Sequence, residues 1–206
     1  MPVAVKLAGK VSRTNPMPAP TGGEAARAIE KEFPDGVIVR TVRLAGTGVT
    51  ANAGGKYHTI ALKGNGTVRT CGYNVSGQLG DGTTVDKATP VQVSGLTGVT
   101  AIAAGYYHTV ALKEDGTVWA WGQNGNGELG DGTTVDKKTP VQASGVTGVT
   151  VIAGGGLHTI ALKGDGTVWA CGLNVYGQLG DGTNVNTTTP VQVSGLTGVP
   201  AIAGGS

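Results

Sequence analysis

His58-Thr59-Ile60-Ala61-Leu62-Lys63 opens a stretch, HTIALKGNGTVRTCGYNVSGQLG, that runs to Gly80 and returns as His108 to Gly130 and His158 to Gly180. His to His is a step of 50 residues each time, and Pro90, Pro140 and Pro190 keep that step downstream. Self-similarity at a fixed period marks an architecture of stacked units, and it sets the frame for every other assignment.

One unit can be read strand by strand. Val99 to Ile102 is a short apolar run closed by Ala103-Ala104-Gly105, which predicts a buried strand and a tight turn. His108 to Lys113 predicts a second strand and Thr117 to Gly122 a third. Between them Asp115-Gly116, matched by Asn65-Gly66 and Asp165-Gly166, predicts a type I′ hairpin turn. A glycine-rich loop, Gln123 to Thr134, leads to Pro140-Val141-Gln142, and proline has no donor for a ladder, so this fourth strand belongs at an edge. A four-stranded antiparallel unit of this size must stack on neighbours to bury its faces, and radial stacking of such blades gives a propeller.

HTVALKEDGTVWAWGQNGNGELGDGTT, followed by TPVQ and GVTVIAGG, resembles the regulator of chromosome condensation repeat. The resemblance covers residues 47–206 in three copies, framed from the pre-histidine loop at about 56–105, 106–155 and 156–205. It implies a mainly β chain of three four-stranded antiparallel blades, in a family whose rings usually have more. Propellers close with about 4–8 blades, so three make an arc, a partial propeller or one completed by other chains. Val199-Pro200-Ala201-Ile202-Ala203-Gly204 repeats the first strand of a blade, and an unpaired strand seeks an edge. Asn52 stands where the other copies have Ile102, Ile152 and Ile202.

Residues 1–46 lie outside the repeat. Val3, Val5 and Leu7 suggest a strand, Asn15 to Pro20 an extended arm, and Val37 to Leu44 a second strand. Thr21 and Glu24 fit a capping box, and Ala25, Ile29 and Phe33 at i, i+4 and i+8 predict a short helix. The segment is too small to bury a core alone. It is either a cap on the first blade or an arm that docks on another subunit, with Ile29 and Phe33, like Val199 and Ile202, as the assembly residues.

The charge balance of +2 and the 14% of charged residues give no general case for a nucleic-acid or membrane partner. No apolar run approaches the length of a membrane span, and no secretory signal opens the chain, which suits synthesis in the cytoplasm. Cys71 and Cys171 occupy one position in different copies and are expected to be free thiols.

Candidate chemistry is sparse. His58, His108 and His158 are equivalent positions that in principle face one axis, as three ligands of a zinc ion would. No carboxylate at fixed spacing orients them, so a structural role is expected and no metal or cofactor. Gly125 to Gly130 spells GxGxxG without the following helix that a dinucleotide site needs. Asp81, Asp131 and Asp181 fit Asx turns better than calcium ligands. Asn65, Asn74 and Asn186 open glycosylation acceptor triplets. No nucleophile–base pair or carboxylate pair stands out, so the chain is not expected to be an enzyme.

The informative positions are those at which near-identical copies differ. Lys56-Tyr57, Tyr106-Tyr107 and Gly156-Leu157 precede the histidines; Tyr73, Gln123 and Leu173 follow the third strands; Tyr176 stands where Ser76 and Asn126 do. Tyrosine is a favoured interface anchor. Tyr57, Tyr73, Tyr106, Tyr107, Gln123 and Tyr176 are therefore the expected contact residues. The expected function is a non-catalytic structural or protein-binding subunit that assembles with other chains, copies of itself included, with a phage virion appendage as a possible setting. A soluble inhibitor or ligand-binding propeller is the alternative, ahead of nucleotide exchange on a small GTPase.

Overall fold

The computed structural model of the chain describes residues 26–32, 38–44 and 48–205. Two strands precede the blades, β1 (Ala26–Glu32) and β2 (Ile38–Leu44), paired antiparallel with Ile29 opposite Thr41 and Glu30 opposite Arg40. The first blade is β3 (Val49–Gly54), β4 (His58–Lys63), β5 (Val68–Gly72) and β6 (Lys87–Gln92). The second is β7 (Val99–Ala104), β8 (His108–Lys113), β9 (Val118–Gly122) and β10 (Lys137–Gln142). The third is β11 (Val149–Gly154), β12 (His158–Lys163), β13 (Val168–Gly172) and β14 (Thr187–Gln192). Each is an antiparallel sheet with its strands in chain order, and β3, β7 and β11 are neighbours along the inner side of the arc. As folded, a blade begins with the strand before the histidine.

The strand with the proline is an edge in all three sheets, as expected. Its ladder breaks at the imino nitrogen: Lys87 pairs with Gly72 and Val91 with Thr70, with an irregularity between them. Two expectations are corrected. The span Ala26–Glu32, read as part of a short helix, is a strand, because pairing with the β-branched β2 outweighs a weak local preference. Its expected cap at Thr21 and Phe33 lie outside the described residues, as do the expected strand at Val3–Leu7 and the proline arm. The hairpin turn is not type I′, which needs positive φ at both central residues. Only Gly66, Gly116 and Gly166 have it, at 74°, 76° and 79°. Gly66 N–H donates to Lys63 O and Lys63 N–H to Thr67 O, each at 2.9 Å, closing a three-residue loop that ends in a left-handed glycine. The Asn65 or Asp115 carboxamide or carboxylate accepts from the Thr two residues on instead of turning left-handed itself.

Burial along the histidine strand shows how the blades stack. In β8 every residue from His108 to Leu112 is buried, since the second blade is covered on both faces. In β4 only His58, Ile60 and Leu62 are buried, while Thr59 and Ala61 on the other face are half-exposed. In β12 the order inverts: Thr159 and Ala161 are buried, His158 and Ile160 half-buried. Near-identical strands thus differ only by which neighbour they have. One core lies between first and second blades, built from Ile60, Leu62, Val68, Val93 and Leu96 against Ala111 and Trp121. Its counterpart between second and third blades sets Val110, Val118, Leu129, Ala143 and Val146 against Ile152 and Ala161.

A hydrogen-bonded bridge crosses each of these cores. Thr109 Oγ1 donates to the Gln78 carbonyl at 2.9 Å, and Trp121 Nε1 donates to the same oxygen at 2.9 Å. The single Thr109 proton is thereby used, so His58 Nε2, 2.9 Å away, must donate to Thr109 Oγ1. The next interface repeats this with His108 Nε2 and Thr159 Oγ1 at 3.1 Å and Thr159 Oγ1 and Glu128 O at 2.7 Å. Cys171 Sγ takes the tryptophan's place, donating to Glu128 O at 3.6 Å. The imidazoles are neutral Nε2–H tautomers. A Cβ on Gly55, Gly105 or Gly155 would run into the ring, which explains the glycine closing each preceding turn.

Residues 199–205 follow the course of an innermost strand. Val199 N–H donates to Gly166 O at 3.1 Å, as Val99 does to Gly66 and Val149 to Gly116. Gly156 N–H donates to Gly205 O at 2.9 Å, continuing the series of Lys56 to Tyr106 and Tyr106 to Gly156. No strand among the described residues pairs with this segment.

Trp121 is fully buried and doubly committed, whereas Trp119 is half-exposed. Trp121→Ala is therefore expected to cost about 3–5 kcal/mol in urea unfolding and Trp119→Ala clearly less; equal losses would contradict this packing. Acid is expected to weaken the fold through the bridges. Burial lowers His58 from 6.5 to about 4 and His108 to about 3, the neighbouring histidines adding to the effect at His108, and His158 is lowered as well. The unfolded chain takes up these protons first, so the contribution is whole above pH 6.5 and is lost as pH falls toward 4. Glu128, whose carboxyl burial raises, works in the opposite direction. The urea midpoint should fall between pH 7 and pH 5; a flat profile would contradict neutral buried imidazoles.

Candidate functional site

Four of the six expected contact residues meet at the junction of the first and second blades. Tyr57 sits between β3 and β4, Tyr106 and Tyr107 between β7 and β8, and Tyr73 directly after β5. Backbone bonds fix these short connections: Tyr73 N–H donates to Tyr57 O at 2.9 Å and Lys56 N–H to Tyr106 O at 3.1 Å. The rings of Tyr57, Tyr73 and Tyr107 form a triangle with centroids 6.1 Å apart on each side. Tyr106 packs edge-on to Tyr107 at 6.5 Å. Such edge-to-face and tilted contacts suit the ring quadrupoles. Lys56 Nζ stands 5.4 Å from the Tyr57 and Tyr106 ring centroids and 5.8 Å from that of Tyr107. That distance places its ammonium within cation–π range of all three.

Tyr57 is 57% exposed, so this aromatic surface faces solvent while its backbone is held by the blades. The third blade supplies Gly156, Leu157 and Leu173 instead, which confines the tyrosines to one junction. Gln123, the second-blade counterpart of Tyr73, lies beside them through its N–H bond to Tyr107 O at 2.9 Å. Its Oε1 is buried without a hydrogen-bond partner. Tyr176 stands apart: it is 88% exposed in the loop after β13, with no aromatic neighbour among the described residues. Lys56 was not among the expected contacts, although it stands in the same variable pair as Tyr57.

The remaining motifs are structural in their geometry. Asn74 is fully buried. Its Nδ2 donates to Asp81 Oδ1, Thr83 O and Val85 O at 3.1–3.2 Å, and its Oδ1 accepts from Leu79 N–H at 2.9 Å. Asn124 and Asn174 knot their own loops in the same way. The asparagine of the triplet at Asn74 is thus a buried loop knot, and the return of asparagine at 124 and 174, without the triplet, was the signal. Asp81 Oδ1 accepts from Thr83 N–H at 2.9 Å and Oγ1 at 2.7 Å, the Asx turn expected, and Lys87 pairs with it at 3.5 Å. The GxGxxG stretch lies in the knotted loop between β9 and β10. Among the described residues no three His, Cys, Asp or Glu side chains come within reach of one metal ion. Both cysteines are free; burial pushes the Cys171 thiol up to about 12 and raises that of Cys71.

The chain matches the Regulator of chromosome condensation (RCC1) repeat at residues 49–78, 99–128 and 149–178, and in a second framing at 65–112, 115–162 and 165–206. No curated protein sequence matches it. Among solved structures it resembles human WBSCR16 with 28% identity and a TM-score of 0.64, over 75% of this chain and 40% of that one. It resembles Prp20p from Saccharomyces cerevisiae, characterised for binding to Gsp1p and histones, with 24% identity and a TM-score of 0.63 over 74% and 40%. Yeast RCC1 (Prp20) bound to Kap60 gives 22% identity and a TM-score of 0.69 over 89% and 48%. These yeast likenesses are likenesses of fold, and the chain spans less than half the length of each of the three structures. Three matched copies over more than half of its residues establish that the chain belongs to the regulator of chromosome condensation (RCC1) repeat family.

Proposed function

We propose that the chain is a non-catalytic protein-binding module whose partner docks on the tyrosine face between the first and second blades. The observation that carries this is the triangle of Tyr57, Tyr73 and Tyr107 with Lys56 over it. Rigidly seated tyrosines offer contact area at little cost in conformational freedom, and their hydroxyls and one ammonium suit a partner surface rich in carbonyl or carboxylate oxygens. Use of this fold for protein recognition is supported by the yeast protein, which binds Gsp1p and histones and has been crystallised with Kap60.

The non-catalytic reading draws support from the titratable groups. The imidazoles of His58 and His108 are buried and engaged in bridges, and the Cys171 thiol is buried and protonated. The virion setting stays outside this proposal, since no residue described above selects it.

Proteins retained by the immobilised chain from the extract of its source cells are expected to drop at least about tenfold with Tyr57→Ala/Tyr107→Ala, the loss typical of an interface centre. Tyr176→Ala should retain them. Equal retention by the double variant and the wild type, with circular dichroism unchanged, would remove the tyrosine face from the account.

A further inference from the structure

Four of the chain's five tyrosines meet at a single junction, and phenols held ring to ring carry a chemistry of their own. A phenol that loses one electron gives up its hydroxyl proton and becomes a neutral phenoxyl radical. Part of the unpaired spin lies on the ring carbons beside the hydroxyl-bearing one, and two such radicals in contact couple there. In free solution each radical must first find another. Rings seated side by side replace that search with a high effective concentration.

The backbone does the seating. Tyr57 lies in the turn between β3 and β4, and Tyr107 in the equivalent turn between β7 and β8. Lys56 N–H bonds to Tyr106 O from one turn to the other, at 3.1 Å. Beneath them the bridge of His58, Thr109 and Gln78 fixes the two blades from which the turns rise. The rings therefore meet without any movement of one blade against the other.

Tilt singles out one pair. Tyr57, Tyr73 and Tyr107 share centroid separations of 6.1 Å. Carbon–carbon coupling makes a bond that lies in both ring planes, so edge must meet edge. Tyr57 and Tyr73 are 76° apart, which aims the edge of one ring at the face of the other. Tyr73 and Tyr107 are 58° apart, and Tyr57 and Tyr107 only 46°. Tyr106 and Tyr107 are both more distant, at 6.5 Å, and steeper, at 70°.

We propose that Tyr57 and Tyr107 form an oxidative cross-linking site, joined ring carbon to ring carbon by a one-electron oxidant of the haem-peroxidase class. The product is a covalent staple between the first and second blades. Each tyrosine loses one electron and its hydroxyl proton, and the two radicals couple through carbons ortho to their oxygens. The hydrogens on those carbons then move to the oxygens and restore both phenols. The two electrons and two protons released reduce one hydrogen peroxide to two waters at the peroxidase. This chemistry needs no docked partner, so it stands or falls separately from the proposed binding function.

The full chain, treated with a haem peroxidase and limiting hydrogen peroxide, is expected to show dityrosine fluorescence in its single-chain band on a denaturing gel. That band should be lighter by two hydrogen atoms, and its digest should contain one linked peptide pair holding Tyr57 and Tyr107. Tyr57→Phe and Tyr107→Phe keep a ring in place and should each abolish the linked pair with circular dichroism unchanged. Tyr176→Phe should leave it intact. Because a cross-link restricts the unfolded chain, the linked protein should also unfold at a higher urea midpoint than the unlinked one. Absence of dityrosine from the single-chain band, a link placed at any other pair, or an unchanged midpoint would each overturn the proposal.

Discussion

Between neighbouring blades a neutral imidazole donates to a threonine hydroxyl, and that hydroxyl donates to a main-chain carbonyl on the blade the imidazole came from. His58, Thr109 and Gln78 make the first such bridge; His108, Thr159 and Glu128 make the second. Buried polar atoms tolerate few arrangements, since each unpaired group costs about 1–3 kcal/mol. The bridge therefore fixes the relative position of two sheets more sharply than apolar packing alone would. It also dictates its surroundings. A ring this deep needs a glycine against it, a proton on one nitrogen, and a neighbour that presents threonine at one height. The 50-residue period is the sequence image of that requirement.

What the bridge positions is a surface. Connections on either side of each histidine are short and tied by main-chain bonds, so residues there vary without disturbing the stack. Four tyrosines and a lysine have gathered in those positions at one junction, while the equivalent sites of the third blade carry glycine and leucine. The same strand sequence is buried on alternate residues in β4 and β12, according to the blade each packs against.

Much of this was legible in the sequence, for particular reasons. Period and strand pattern were clear because every copy repeats the same alternation, and the edge strand was clear because proline has no donor. The tyrosines stood out because they break the repetition. Three features were hidden. The stretch Ala26–Glu32 has helical spacing, yet β2 supplies a pairing edge that local pattern does not reveal. The hairpin turn carries Asn-Gly or Asp-Gly, but one further residue belongs to the loop, and the side chain of Asn65 or Asp115 caps the following Thr rather than turning left-handed. The asparagine knot read as a modification triplet because its partners lie 5–12 residues away across a loop with no regular structure. Lys56 joined the site only through three-dimensional proximity to rings from two blades.

The central claim is that the histidine of one blade and the threonine of the next act as a unit. A double-mutant cycle in urea unfolding, with His58→Phe, Thr109→Val and the pair, measures that directly. The account expects a coupling of about 1–2 kcal/mol between the two sites. Additive losses, with a coupling near zero, would contradict it and leave apolar packing as the sole link between the blades.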